Sequence, residues 1–252
     1  MDQHSVAGVD WAAGEWVAVV FQSGSYSECA LEDSFEALWG IVPDLDHVLI
    51  DVPIGLPENE ETLSNREELD SLARMVTGRS SSVFPVPSRK ACEGAYNGDS
   101  YEKVSETNRD EIGKRLSRQS YHISSGIAEI DSFLQANNSA RETVAESHPE
   151  VCFRGFLGRQ LQHSKQTAAG VGERLEALDG HLDAPETVFR DLCKEFIGKS
   201  SDVAVDDVVD ALGLAVTAWK TREQSYTLPS DPRYDSEDLP MQMVYWSDEP
   251  LD

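Results

Sequence analysis

Five carboxylates stand where apolar context would not predict them. Asp10 interrupts VAGVDWA, Asp51 closes LIDVP, Glu146 closes VAESHP, and Asp207 and Asp210 open DDVVDALGLAVTAW. A lone ionised carboxylate is costly to bury, so such groups pair with cations, take up a proton or hold a metal. Three positions apart on a helix, Asp207 and Asp210 lie about 60° apart around its axis and can point into one site. Taken singly, each residue has a plainer reading. Asp206 or Asp207 can cap a helix, and Asp210 can pair with an arginine such as Arg79 or Arg89. Asp10 can likewise pair with an arginine, Asp51 can bond turn amides, and Glu146 can be an exposed edge residue. A divalent-cation site accounts for all of them together. Hard oxygen donors, without Cys and with little His, suit Mg²⁺ or Mn²⁺ rather than zinc. Two such ions about 3.5–4 Å apart activate a water and stabilise the leaving oxygen of a phosphodiester. The expectation is that Asp10 bridges both ions and that Asp51 and Asp210 each complete one. Asp207 and Glu146 then serve as outer or alternative ligands.

These side chains need a frame. Residues 5–12 and 15–22 alternate like strands about a turn at Ala13-Gly14, and 26–31 adds a third antiparallel strand. SFEALWGIV (34–42) has Phe35, Leu38 and Val42 at helical spacing, and 46–57 is an apolar run typical of a strand buried on both faces, ended by Pro53 and Pro57. Residues 58–140 read as a helical insertion: one helix at about 61–77, another containing Leu116, Ile123, Ile127, Ile130 and Leu134, and between them a Ser/Pro/Gly-rich loop. Strand character returns at 141–151, three helices follow at 165–179, 185–197 and 206–220, and MVYW (243–246) in an acidic tail is expected to dock as an edge strand. The order predicts an α/β protein: a mixed five-stranded sheet flanked by helices, in a single domain over 1–225 with a tail at 226–252.

Composition bounds the setting. The 252 residues carry 46 acidic and 21 basic side chains, a net charge of −25, with acid scattered along the chain. Such a carboxylate coat suits a halophilic environment, since molar salt shortens the Debye length to about 3 Å and mutes self-repulsion. Proteins that bind nucleic acid neutralise phosphates with Lys and Arg and lose affinity as salt rises. A nucleic-acid substrate here would therefore depend on local Arg/Lys, metal ions and short hydrogen bonds. No run reaches the roughly 18 apolar residues of a membrane span, and the N-terminus lacks a basic leader, which implies a cytoplasmic protein without a membrane partner. Cys29, Cys92, Cys152 and Cys193 show no ligand or disulfide spacing and read as free thiols. Oligomeric state is not legible.

The combination AGVDWA, VLIDVPIGLP, ELDSLAR followed by GRSSSVFPVPSR, QSYHISSGIAEID, AESHPEVCFRGFLG and DDVVDALGLAVTA resembles a family of uncharacterised proteins, domain of unknown function 429, described as predicted RNase H-like nucleases. The likeness spans roughly residues 5–220 and implies the ribonuclease H-like fold. DVVDALG is also similar to the DxxDAL helix of Holliday-junction resolvases, which maps onto Asp207 and Asp210. By the same resemblance Asp10 is the central metal ligand of the first strand and Asp51 the fourth-strand acid. Asp51 stands where glutamate is common, and Glu146 has no firm counterpart. Arg79, Arg89, Arg154, Lys165 and Thr167 are candidates for binding phosphate oxygens, with ordinary salt bridging as the alternative. His148 can shuttle a proton or hold a leaving group, or be a hydrogen-bonded strand-end histidine before Pro149. Trp11, Trp16, Phe84 and Tyr121 can stack on bases, although aromatics beside strands are more often core. The leading expectation is a metal-dependent nuclease. The alternatives are a non-catalytic binding or regulatory protein with its carboxylates in salt bridges, and an actin-like phosphotransferase holding Mg²⁺-ATP on Asp10 and Asp51, against which GVDWAAGEW lacks the phosphate turn.

Overall fold

The computed structural model describes residues 4–12, 14–42, 44–79, 82–198 and 203–251. The described residues divide into two packed units: those within 4–51, 143–226 and 244–251 form the first, and those within 52–142 with 227–243 the second.

The first unit is built on a five-stranded sheet. Strands β1 (Ser5–Ala12), β2 (Glu15–Gln22), β3 (Ser25–Glu32), β4 (His47–Ile50) and β5 (Val144–Glu146) lie in the order β3-β2-β1-β4-β5. The first three are antiparallel neighbours, while β4 runs parallel to both β1 and β5. This is the mixed sheet of the ribonuclease H-like fold. Because side chains alternate across a strand, β1 presents Ala7 and Val9 to one face and Val6, Gly8, Asp10 and Ala12 to the other. On the first face, helix α1 (Phe35–Ile41) brings Phe35, Leu38 and Trp39 against Ala7, Val9, Ala18 and Val48. Ser34 starts this helix, its hydroxyl accepting the amide of Ala37 at 3.2 Å. Trp16, fully buried, packs between Trp11 and Phe35. Trp16 and Phe35 belong to the core, with Trp11 half-buried against them.

The second face carries helices α7 (Pro149–Leu157), α8 (Ala168–Ala177), α9 (Pro185–Gly198) and α10 (Val205–Lys220). From Val208 to Ala218 every residue of α10 is buried, as expected of a helix apolar on all sides. It lies directly on β1. A Cβ placed on Gly8 would stand 2.1 Å from the amide nitrogen of Ala215 and 2.3 Å from the carbonyl oxygen of Ala211. Only glycine allows helix and strand backbones to approach this closely.

The second unit contains α2 (Glu60–Thr77), α3 (Arg89–Tyr96), α4 (Tyr101–Ile112), α5 (Arg118–Ala136) and most of α6 (Asn138–Thr143). Asn59 caps α2 through the amides of Glu61 and Thr62, both at 3.0 Å, and Gly78 ends it with a left-handed φ of 66°. At its centre the five N–H groups of Arg89 are all committed. They reach both oxygens of Asp131 at 2.9 and 3.1 Å, Asp235 at 2.5 Å, Ser236 at 3.3 Å, and Glu58.

Several elements differ from those expected. The 46–57 run yields a strand of only four residues, because Pro53 and the Pro57 that follows withhold ladder donors. Residues 89–96, expected as loop, form α3 behind the Ser88 cap. The strand expected over 141–151 is three residues long, and Pro149 begins a helix instead of merely ending a strand, since proline is at home in a first helical turn. The tail does not add an edge strand to the five-stranded sheet: β6 (Tyr226–Tyr234) and β7 (Pro240–Tyr245) pair with each other. The turn expected at Ala13-Gly14 involves Ala13, which lies outside the described residues. Among the described residues no helix is long and apolar enough to cross a membrane. None of the four cysteines forms a disulfide, and three are buried.

The Gly8 contact predicts a sharp contrast. Gly8→Ala should lower stability by about 1–3 kcal/mol or more through overpacking against backbone. Gly40→Ala, in the last turn of α1 with nothing within 4 Å of its added Cβ, should be neutral or stabilise by up to about 1 kcal/mol. Urea unfolding of both variants checks the pair.

Candidate active site

The sheet register decides which carboxylates meet. Val9, Ile50 and Glu146 are paired in one row across β1, β4 and β5. The next row continues with the Asp51 amide donating to Val9 O and the Ser147 amide donating to Ile50 O, both at 3.0 Å. Asp10, Asp51 and Ser147 therefore share the face covered by α10, whereas Glu146 is one residue out of step and starts from the opposite face. Ser147 takes the place expected of Glu146. It is buried, and its hydroxyl donates to Val244 O at 2.7 Å.

Helix α10 supplies the remaining acids. Asp210 precedes Ala211, whose carbonyl abuts Gly8, and Gly8 is two residues before Asp10. Both carboxylates are buried, 1% and 6% exposed respectively. Burial first, then the charges of Asp51 and Asp210, hold the Asp10 carboxyl well above the usual range; Lys165 works against this and Asp207 adds to it. Asp210 is raised too, by burial, with Lys165 pulling it back down and Asp51 pushing it up. The N-cap of α10 is Ala204, not Asp206 or Asp207; Asp207, three residues on, reaches back with one oxygen to accept the Ala204 amide at 2.8 Å.

Lys165 is the surprise. Expected to meet substrate phosphate, it instead reaches into the carboxylates. Its Nζ lies 2.5 Å from Asp210 Oδ2 and 3.7 Å from Asp206 Oδ2. Burial disfavours its charge, but Asp210, Asp10 and Asp51 outweigh that and push its pKa up. Arg174, fully buried and paired with Glu150, adds a more distant positive charge to the field at Asp210. The other oxygen, Asp210 Oδ1, is buried and accepts no hydrogen bond.

The loop that carries Lys165 is fixed. Glu173 Oε1 and Oε2 each accept the Gln162 amide at 2.9 Å, Oε2 accepts the His163 amide at 2.9 Å, and Oε1 meets Arg159 Nη1 at 2.6 Å. Thr167 caps α8 through the Gly170 amide at 3.1 Å while its own hydroxyl donates to Ser164 O at 2.8 Å. A Cβ on Gly170 would stand 1.9 Å from Ser164 O.

Several of the remaining candidates have other surroundings, while the Nε of Arg154, in α7, is buried without a hydrogen-bond partner. Arg89 cannot offer a fork to phosphate, because its donors are spent on Asp131, Asp235, Glu58 and Ser236 in the second unit. Arg79 also belongs to the second unit, where its carbonyl accepts the Ser82 hydroxyl at 2.9 Å. His148 caps α7, its Nδ1 accepting the Glu150 amide at 3.2 Å. Tyr121 donates its hydroxyl to Asp99 O at 2.9 Å and packs on Tyr101.

Aspartate oxygens alone, with no sulfur or imidazole, are the donor set of Mg²⁺ or Mn²⁺, and the unpartnered Asp210 Oδ1 is one such donor. The donor chemistry fits a divalent ion. In this arrangement, however, no three His, Cys, Asp or Glu side chains among the described residues are grouped closely enough to hold one; an ammonium stands among them.

The sheet order, with Asp10 on the central strand and Asp210 on the helix lying over it, places the chain in the ribonuclease H-like class of α/β proteins. A family model described as protein of unknown function (DUF429) matches residues 8–234, and the chain belongs to that family. Neither the curated proteins nor the solved structures compared with it give a match.

Two predictions test these assignments. Arg89→Met should destabilise folding by about 3–5 kcal/mol, because it strands buried acids without their cation, and calorimetry should register this loss. Glu173 is opposed by burial, but Arg159 and the two amides prevail and hold its carboxyl down at about 2. That pKa lies below the ordinary 4.5, so these bonds stabilise the fold fully above about pH 4.5 and fade as pH falls towards 2. Glu173→Gln should therefore melt several degrees below wild type at neutral pH, with the two curves converging in acid.

Proposed function

We propose that this protein hydrolyses phosphodiester bonds of nucleic acid with a divalent cation, Mg²⁺ or Mn²⁺, held by Asp10, Asp51 and Asp210 with Asp207 beside them. The observation that carries the reading is the convergence of Asp10 and Asp210 from β1 and α10, buried and mutually repelling. Keeping like charges together away from water costs stability, and a cation offsets that cost. When bound, such an ion lowers the pKa of a coordinated water and neutralises charge on the phosphoryl oxygens. The chain's own part is to hold the oxygens fixed on a strand and a helix and to set the Lys165 charge against Asp210. The excess of 46 acids over 21 bases supports activity in molar salt, where long-range attraction to phosphate is screened.

A second reading has its own support. Lys165 on Asp210, and the absence of a close three-carboxylate group among the described residues, favour a non-catalytic binding or regulatory protein with its charges balanced internally.

Cleavage of labelled single-stranded, duplex and branched DNA and RNA in molar KCl, with Mn²⁺, Mg²⁺ or chelator, separates the two. Asp10→Asn and Asp210→Asn should each lose about 10²-fold or more in rate, on the scale of losing one electrostatic catalytic group. Asp10→Asn, whose charged form is held against burial, should fold at least as stably as wild type, whereas Asp210→Asn also takes the carboxylate from Lys165, so circular dichroism should accompany its rate. Undetectable cleavage by the wild type would select the second reading, and metal-independent cleavage would overturn the metal-dependent one.

A further inference from the structure

We propose that the cavity bounded by α2, α4 and the start of α5 in the second unit binds a phosphate monoester, a dianion carried on a small organic body. This site is independent of the phosphodiesterase reading, which concerns carboxylates of the first unit.

Charge is the first ground. The cavity encloses about 200 Å³ and is lined by four cations, Arg66, Arg74, Lys114 and Arg115, against two carboxylates, Glu67 and Asp70. In a chain with 46 acidic and 21 basic side chains, a cavity with cations in excess runs against the overall balance. Both acids already have partners. Asp70 accepts Arg66 Nε at 3.1 Å and stands 3.8 Å from Arg74 Nη2, and Glu67 pairs with Lys114. A phosphate monoester carries a charge of about −1.5 to −2 at neutral pH, close to what this lining leaves unmatched.

The second ground is the supply of donors. Arg74 gives Nε and Nη2 to Val83 O at 3.2 and 2.9 Å, which leaves its Nη1 without a hydrogen bond among the described residues. Arg115 is exposed and makes neither a hydrogen bond nor an ion pair among them. Guanidinium groups match phosphate oxygens in pairs, with geometry as well as charge. Ser117, the cap of the 19-residue helix α5, also lines the cavity, so the positive end of that helix adds to the field.

The third ground is rigidity. Asn108 Nδ2 donates to Lys114 O at 2.7 Å, the Ser105 hydroxyl accepts the Leu116 amide at 3.3 Å, and the Tyr101 hydroxyl donates to Leu116 O at 2.9 Å. The backbone on both sides of Arg115 is thereby held. Arg66, 2% exposed, is fixed in the lining by Asp70 and by Ile54 O at 3.2 Å. A site held in place before its ligand arrives loses little further freedom on binding. Leu63, Val86, Ile112 and Leu116 give the organic body an apolar wall. The site binds, and no bond forms or breaks in it.

The test is calorimetric titration of the full chain with chelator present, in the lowest KCl that keeps it folded by circular dichroism. Phenyl phosphate is the minimal probe and phenol its control without the phosphate. Wild type should bind phenyl phosphate at least about tenfold more tightly than phenol, and Arg115→Met should weaken phenyl phosphate about tenfold, the scale of one charge-assisted hydrogen bond. Arg115→Lys, which keeps the charge, should lose less. Adenosine monophosphate and a short oligonucleotide with a 5′-phosphate then separate the sources: tighter binding of the first makes the ligand a free small molecule, tighter binding of the second the end of a strand. No binding of phenyl phosphate by the wild type, equal binding of phenol, or unchanged affinity in a folded Arg115→Met would overturn the proposal and leave metal-dependent hydrolysis standing. Should Arg115→Met fail to fold, the wild-type contrast between phenyl phosphate and phenol decides by itself.

Discussion

The contact between Gly8 and the backbone of α10 is the constraint on which the site depends. A helix normally rides on a sheet at a distance set by side chains on both surfaces. Here β1 contributes no side chain at the crossing, and the carbonyl of Ala211 and the amide of Ala215 descend onto the strand. The approach draws Asp210, one residue before the crossing, towards Asp10, two residues after it. Parallel pairing of β4 then sets Asp51 beside Asp10 with no further requirement than register. A hydrogen atom in place of a methyl group thus determines which charges meet.

Bringing them together creates an electrostatic problem that the rest of the first unit is arranged to contain. Carboxylates shielded from water raise one another's pKa, and the protein answers with a lysine aimed into the cluster, a buried Arg174–Glu150 pair behind it, and a helix start that takes up one oxygen of Asp207. The lysine's loop is fastened by backbone-to-carboxylate bonds, so its charge is delivered from a defined place. In a chain with 46 acids and 21 bases, committing a cation here shows how strongly the local repulsion weighs.

Much of this could be read from residue order. The β-β-β-α-β opening, the apolar helix at 206–220 and the pairing of Asp207 with Asp210 follow from periodicities of two and 3.6 that short-range sterics enforce. Glu146 and Ser147 were not separable in this way: adjacent residues on a short strand face opposite sides, and only the pairing of Ile50 with Glu146 says which one shares the side of Asp10. Arg89 looked available because its partners lie 31 to 147 positions away, a separation that no local pattern encodes. Lys165 left a faint trace, as one of few lysines, just ahead of a capped helix. Its direction depends on how the loop packs on α8, which is a tertiary matter. Pro149 has two legitimate meanings, the end of a strand and the first turn of a helix, and tertiary packing chose the second.

The crossing at Gly8 also joins segments made far apart in time. β1 leaves the ribosome well before the helix that covers it, which ends at Lys220, and residues 244–251 still have to bring the Trp246 carbonyl against Gly155 and the Val244 carbonyl to Ser147. At about 5–20 residues per second, the nascent sheet waits roughly 10–40 s for its lid. During that interval its most apolar face has no native cover.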